Sequence, residues 1–151
     1  MSKEVGRGLV VLLHTGVRLG ELFAMRGEDI RNGEAHVLTL KRKKGEGQRH
    51  RVIPLHKKAL EAIGDAKPGP LMPMTRNSFE ASYKKGLKGL GLTRTRLHDF
   101  RHTWATKYME STGDLAGLMR LGGWKDYASM DRYQHMTKGR SSAILGLDFG
   151  L

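Results

Sequence analysis

The sequence of 151 residues has no cysteine. Disulfides, thiolate nucleophiles and cysteine-ligated zinc are therefore excluded, and a reducing compartment fits. Long apolar runs are also missing. The longest, residues 9–13, is too short to span a bilayer. The opening Met1-Ser2-Lys3-Glu4 has no signal-peptide pattern. We expect a soluble intracellular protein of one domain, residues 1–151. Internal repeats and low-complexity tracts are absent. Acidic residues are scarce: 15 Asp and Glu stand against 27 Lys and Arg, a net charge of +12. The excess predicts a polyanionic partner, nucleic acid first and anionic membrane second. The bland alternative is a basic solvated surface with no specific partner.

Carboxylates able to hold Mg²⁺ are not clustered, apart from Glu28-Asp29. No Gly-x-x-x-x-Gly-Lys-Ser/Thr motif is present, which excludes a P-loop. We expect no metal and no cofactor.

What is there reads as mostly helical with one small antiparallel sheet, an α+β class. Helices are expected over residues 5–14 and 18–25, separated by Thr15-Gly16, and over 56–63. Strands are expected over 36–40 and 51–55, joined by a glycine-bearing basic loop, as a β-hairpin with a cationic tip. Residues 64–73 should be a surface loop. Asn77 is the expected N-cap of a helix running to about Lys88. Further helices are expected over 97–111, with Phe100 and Trp104 anchoring it, then over 115–121 and 128–136.

Three blocks carry residue types that stabilise a phosphoryl transition state without metal. Arginine forks bind two phosphate oxygens at once, and His or an indole N–H donates to another. Lysine donates a proton, and tyrosine attacks. The first block is Thr15-Gly16-Val17-Arg18-Leu19-Gly20-Glu21-Leu22. Glu21 lies three residues after Arg18, on the same helix face, and orients it. Taken alone, the pair reads as a surface ion pair worth little. The second block is Leu97-His98-Asp99-Phe100-Arg101-His102-Thr103. His98 and Arg101 share one side of a helix's first turn, where the N-terminus favours anions. Alone, they read equally as a core histidine and a solvated charge. The third block is Leu121-Gly122-Gly123-Trp124, followed by Asp131-Arg132-Tyr133-Gln134-His135. Alone, its aromatics read as core residues.

In order and content the blocks resemble the tyrosine recombinase (phage integrase) family, from about Leu9 to His135. The resemblance implies that family's catalytic-domain fold and metal-independent DNA cleavage and rejoining. It makes Arg18, His98, Arg101, Trp124 and Tyr133 catalytic, with Tyr133 the nucleophile and Glu21 and His135 in support. Many members carry histidine where this chain has Trp124. An indole N–H donates a hydrogen bond but cannot shuttle a proton, so Trp124 is assigned phosphate contact and packing. The family's lysine sits on the hairpin. Counting forward from Asp29-Ile30 favours Lys41, and counting back from Pro54 favours Lys43 or Lys44. We take Lys41. Lys43, Lys44, Arg49 and Arg51 are then expected to contact DNA.

By the same resemblance, the partners are double-stranded DNA, other copies of the chain in a tetrameric synapse, and accessory DNA-bending proteins. The setting is the cytoplasm of a bacterial or phage-infected cell, associated with the nucleoid. Family members usually carry an N-terminal core-binding domain, expected to be absent here because about 17 residues precede Arg18. The tail, 137–151, packs on its own domain or on a neighbour. A type IB topoisomerase shares the chemistry without strand exchange. An inactive basic DNA-binding domain and an RNA-binding basic protein complete the alternatives.

Overall fold

The computed structural model describes residues 2–39, 49–92 and 94–141, with side chains up to residue 136. The tip of the expected hairpin, with Lys41, Lys43 and Lys44, and the tail from 142 lie outside the described residues. The chain divides into two compact units, Met1–Trp104 and Ala105–Leu151.

The first unit opens with α1 (Lys3–Thr15), capped by the Ser2 hydroxyl, which accepts from the Val5 amide at 3.3 Å. Val5, Val11 and Leu12 point into the core at helical spacing. The helix stops at Gly16, which adopts a left-handed conformation (φ 65°) and donates its amide to the Leu12 carbonyl at 3.0 Å. A short extended step then leads into α2 (Leu19–Ala24).

After a 3₁₀ turn at Gly27–Asp29 comes a three-stranded antiparallel sheet in the order β1-β2-β3. Its strands are β1 (Ile30–Arg31), β2 (Glu34–Leu38) and β3 (His50–Pro54). The first strand was not expected. It is made by Asn32-Gly33, both with positive φ (54° and 75°), the conformation of a tight hairpin turn. Across β2 and β3, Ala35 pairs with Ile53 and Val37 with Arg51, and this alternate set faces inward. The strands begin one or two residues earlier than the sequence pattern indicated.

His56 caps α3 (Lys57–Ile63) through its Nδ1, which accepts from the Lys58 amide at 3.2 Å. The expected cap Asn77 is a correction: α4 (Arg76–Gly89) is capped by Thr75, whose hydroxyl accepts from the Ser78 amide at 3.2 Å. Both residue types cap well. The helix thus starts two residues earlier than expected, with Phe79, Tyr83 and Leu87 as its inward stripe. Then α5 (Leu97–Thr112) begins in the first unit and ends in the second. The first unit's core gathers Val5, Val11, Leu22, Val37, Ile53 and Phe79, each 2% exposed or less. Each such side chain contributes about 1.5–3 kcal/mol by leaving water.

The second unit continues α5 into α6 (Leu115–Gly122), a 3₁₀ turn at Ala128–Met130 and α7 (Asp131–Ser141). The Asp114 carboxylate caps α6, accepting from the Gly117 amide at 2.8 Å. Met109, Leu118, Met130 and Tyr133 are buried. The result is an α+β, mainly helical chain with a small antiparallel sheet. Among the described residues, no helix is long and apolar enough to cross a membrane.

Gly16 is required twice over. A Cβ there would strain the left-handed backbone and overlap the Trp104 ring. Gly16→Ala is expected to destabilise the chain by about 3 kcal/mol, the sum of backbone strain and overpacking. Urea unfolding checks this, and a loss under about 1 kcal/mol would contradict the steric account.

Candidate functional site

The first arginine block is organised around a buried carboxylate. Arg18 takes the N-cap position of α2, and its amide donates to Glu21 Oε2 at 2.8 Å. That is the helix-end half of a capping box, with the acid three residues in. Arg18 Nη1 also reaches Glu21 Oε1 at 3.2 Å. From β3, Arg51 grips the same carboxylate with both prongs, Nη1 to Oε1 at 3.0 Å and Nη2 to Oε2 at 2.7 Å. Arg51 Nη1 also donates to Thr39 Oγ1 at 3.0 Å. Glu21 is 1% exposed, so this is no surface ion pair.

Burial pushes the Glu21 carboxyl upward. The Arg51 hydrogen bonds and charge, aided by Arg18, more than reverse that push and hold it below the ordinary carboxylate value. A folded pKa below the unfolded one stabilises the fold above the ordinary carboxylate range. That contribution is lost as pH falls through the folded value.

Arg51 is thus a correction to the expectation of a DNA-facing cation. Its side chain is 7% exposed and committed to Glu21. The sequence held a signal for this, since Arg51 shares its alternation with Ile53 and Leu55, both buried.

The second block packs against the first. Arg101 is buried, and its Nη1 donates to the Gly16 carbonyl at 2.5 Å. The left-handed turn after α1 therefore presents Arg18 on one side and a carbonyl for Arg101 on the other. His98 is exposed, its ring edge-on to His102 at 4.6 Å. Arg18, His98 and Arg101 line one cavity of about 700 Å³, with Val17, Tyr83 and Leu97 among its apolar walls. The sequence reading missed Arg76, Lys84 and Arg96, which line the same cavity. Arg76 and Lys84 are eight apart on α4, a helical repeat that shows in the sequence once the helix is known. Arg76 pairs with Glu80 at 2.7 Å. Among the described residues, no three His, Asp or Glu side chains gather to hold a metal ion.

The third block lies in the second unit. Gly123, in the left-handed conformation, ends α6. Gly122 has no room for a side chain, because a Cβ there would overlap the Trp124 ring. The glycine pair thus lets Trp124 fold back over the helix end, with its amide on the Met119 carbonyl at 3.0 Å. The Trp124 ring meets the Tyr133 ring edge-on, centroids 6.1 Å apart. Tyr133 is 3% exposed, whereas His135, also on α7, is exposed. Arg49 is exposed beside β3, and the three hairpin lysines fall outside the described residues.

Comparison with known proteins agrees with this organisation. The description "Phage integrase family" matches residues 70–140. The tyrosine recombinase XerD of Listeria innocua is 29% identical over 152 residues, covering 87% of this chain and 50% of the relative. The chain thus spans about half the length of the curated relatives it matches. The catalytic domain of bacteriophage HP1 integrase superposes with a TM-score of 0.69 at 20% identity, covering 98% of this chain and 93% of that one. The Tn1549 transposon integrase, solved in complex with its circular intermediate DNA, gives 0.66 at 22% identity, covering 86% and 53%. With three motif blocks in order and this fold beneath them, the chain is similar to the tyrosine recombinase (phage integrase) family and carries the fold of its catalytic domain.

Proposed function

We propose that this chain is the catalytic domain of a site-specific DNA recombinase, which cuts and rejoins double-stranded DNA through a 3′-phosphotyrosyl bond at Tyr133. The observation that carries the reading is the shared cavity: Arg18 and Arg101, 83 positions apart, open onto one space with His98 between apolar walls. Two guanidiniums and an imidazole suit the non-bridging oxygens of a phosphodiester, whose charge grows at the transition state.

The Tyr133 hydroxyl loses its proton to solvent and its oxygen bonds to phosphorus as the bond to the 5′ oxygen breaks. The leaving oxygen takes a proton from the hairpin lysine, Lys41 by our reading. Trp124 packs on the Tyr133 ring and offers its indole N–H to phosphate. Arg49, Lys43 and Lys44 add backbone contacts that are not specific to sequence. The phosphodiester energy is kept in the covalent link, so rejoining needs no ATP. Attack by a 5′-hydroxyl from another duplex completes exchange, within a synapse of four copies and with help from DNA-bending proteins. The reaction takes place on DNA in a bacterial or phage-infected cell, among nucleoid proteins.

A nicked duplex that traps the intermediate tests this. The covalent protein–DNA complex forms at an undiminished rate in excess EDTA. Strict dependence on Mg²⁺ would overturn the mechanism. Relaxation of plasmid lacking any specific site would shift the reading to a type IB topoisomerase.

A further inference from the structure

We propose that Arg51 is a positioning residue for the cleavage reaction, aiming the Arg18 guanidinium by fixing both oxygens of the Glu21 carboxylate. The inference rests on the reading of Arg18 as a phosphate ligand.

Arg51 occupies a position where the sheet otherwise buries apolar residues. Its inward-facing neighbours on β2 and β3 are Ala35, Val37 and Ile53. Burying a guanidinium and a carboxylate there is no route to extra stability, because a well-packed apolar pair does as well or better. The arrangement does supply direction. A lone Arg18–Glu21 pair, its arginine side chain 23% exposed, would hold no fixed geometry. Arg51 changes that with two parallel bonds, which lock the plane of the carboxylate. The third bond, to Thr39 Oγ1, fixes the guanidinium from the other side. The locked carboxylate then holds Arg18 at two points, its amide and its Nη1. Glu21 thereby ties β3 to the start of α2, and the arginine at that start faces the cavity.

Single-turnover cleavage of the nicked duplex, measured beside DNA affinity, tests this. Arg51→Met is expected to slow cleavage by about 100-fold, the scale of a roughly 1 Å misplacement, with DNA affinity changed by less than about threefold. Arg51→Lys keeps the charge without the fork and recovers only part of the rate, staying about tenfold slow. Glu21→Gln and the double variant Glu21→Gln/Arg51→Met are expected to cleave within about threefold of each other, because Arg51 acts through Glu21 alone. The double variant leaves no lone buried charge and Arg51→Lys leaves none unpaired, so these two decide the matter if Arg51→Met does not fold. A residue that only holds the fold would lower melting temperature and DNA affinity along with the rate. That pattern, a wild-type rate in Arg51→Lys, or additive losses in the double variant would each overturn the proposal. Wild-type protein that traps no covalent complex would instead overturn the recombinase reading.

Discussion

Tyr133→Phe removes the covalent protein–DNA complex, a loss of about 10⁴-fold or more in trapping on a nicked duplex, while DNA affinity stays close to wild type. The substitution deletes one oxygen and keeps the ring. That choice matters because Tyr133 is 3% exposed and its ring meets Trp124. Tyr133→Ala would open a cavity costing about 3–5 kcal/mol and confuse unfolding with lost chemistry. The phenylalanine variant is expected to lose at most about 1.5 kcal/mol, the scale of one hydrogen bond. Melting temperature checks this in the same samples. Burial also says something about order of events. On the proposed mechanism the buried Tyr133 has to be uncovered before its oxygen attacks, so DNA binding is expected to precede or accompany a rearrangement around it. The variant leaves that step intact, which is why its affinity is expected to hold. A phenylalanine variant that still traps covalently excludes Tyr133 as nucleophile.

The second large effect separates the two arginines. Arg18→Ala is expected to slow cleavage by about 10²–10³-fold, the usual result of removing one transition-state donor. Its side chain is 23% exposed, so the fold survives and the melting temperature falls only slightly. Arg101→Ala is expected to slow cleavage at least as much and also to destabilise the first unit. Arg101 is 3% exposed and holds the Gly16 carbonyl, so its removal leaves that acceptor unsatisfied, a cost of about 1–3 kcal/mol. Cleavage kinetics and thermal unfolding on both variants show the contrast. Equal rates with wild type for Arg18→Ala would remove it from the phosphate site.

Much of this fold is legible in the sequence because its helix ends carry local chemistry. Gly16 and Gly123 stop helices by taking a left-handed conformation, and α5 is found within one residue of its expected end. The three motif blocks are equally plain, since each is a short run of unusual residue types. What was missed has identifiable causes. The strand β1 is two residues long, too short for any periodic pattern, although Asn32-Gly33 announces its turn. The cap of α4 is expected at Asn77, but the helix starts two residues earlier, on the Thr75 hydroxyl. Arg51 was misread because a basic stretch precedes it and composition there spoke for DNA. Only its position in the alternation, inward with Ile53, placed it against Glu21. The reason for Gly122 was invisible in the sequence, since it is the space taken by the Trp124 ring.

The proposed reaction is displacement of a DNA ester oxygen by the Tyr133 phenol. Digesting the trapped complex and locating the nucleotide-bearing peptide by mass spectrometry tests it most directly. The expected result is a single adduct, a 3′-phosphate ester on Tyr133, released together with a free 5′-hydroxyl strand. An adduct on any other residue, a 5′ linkage, or cleavage with no adduct at all would contradict it.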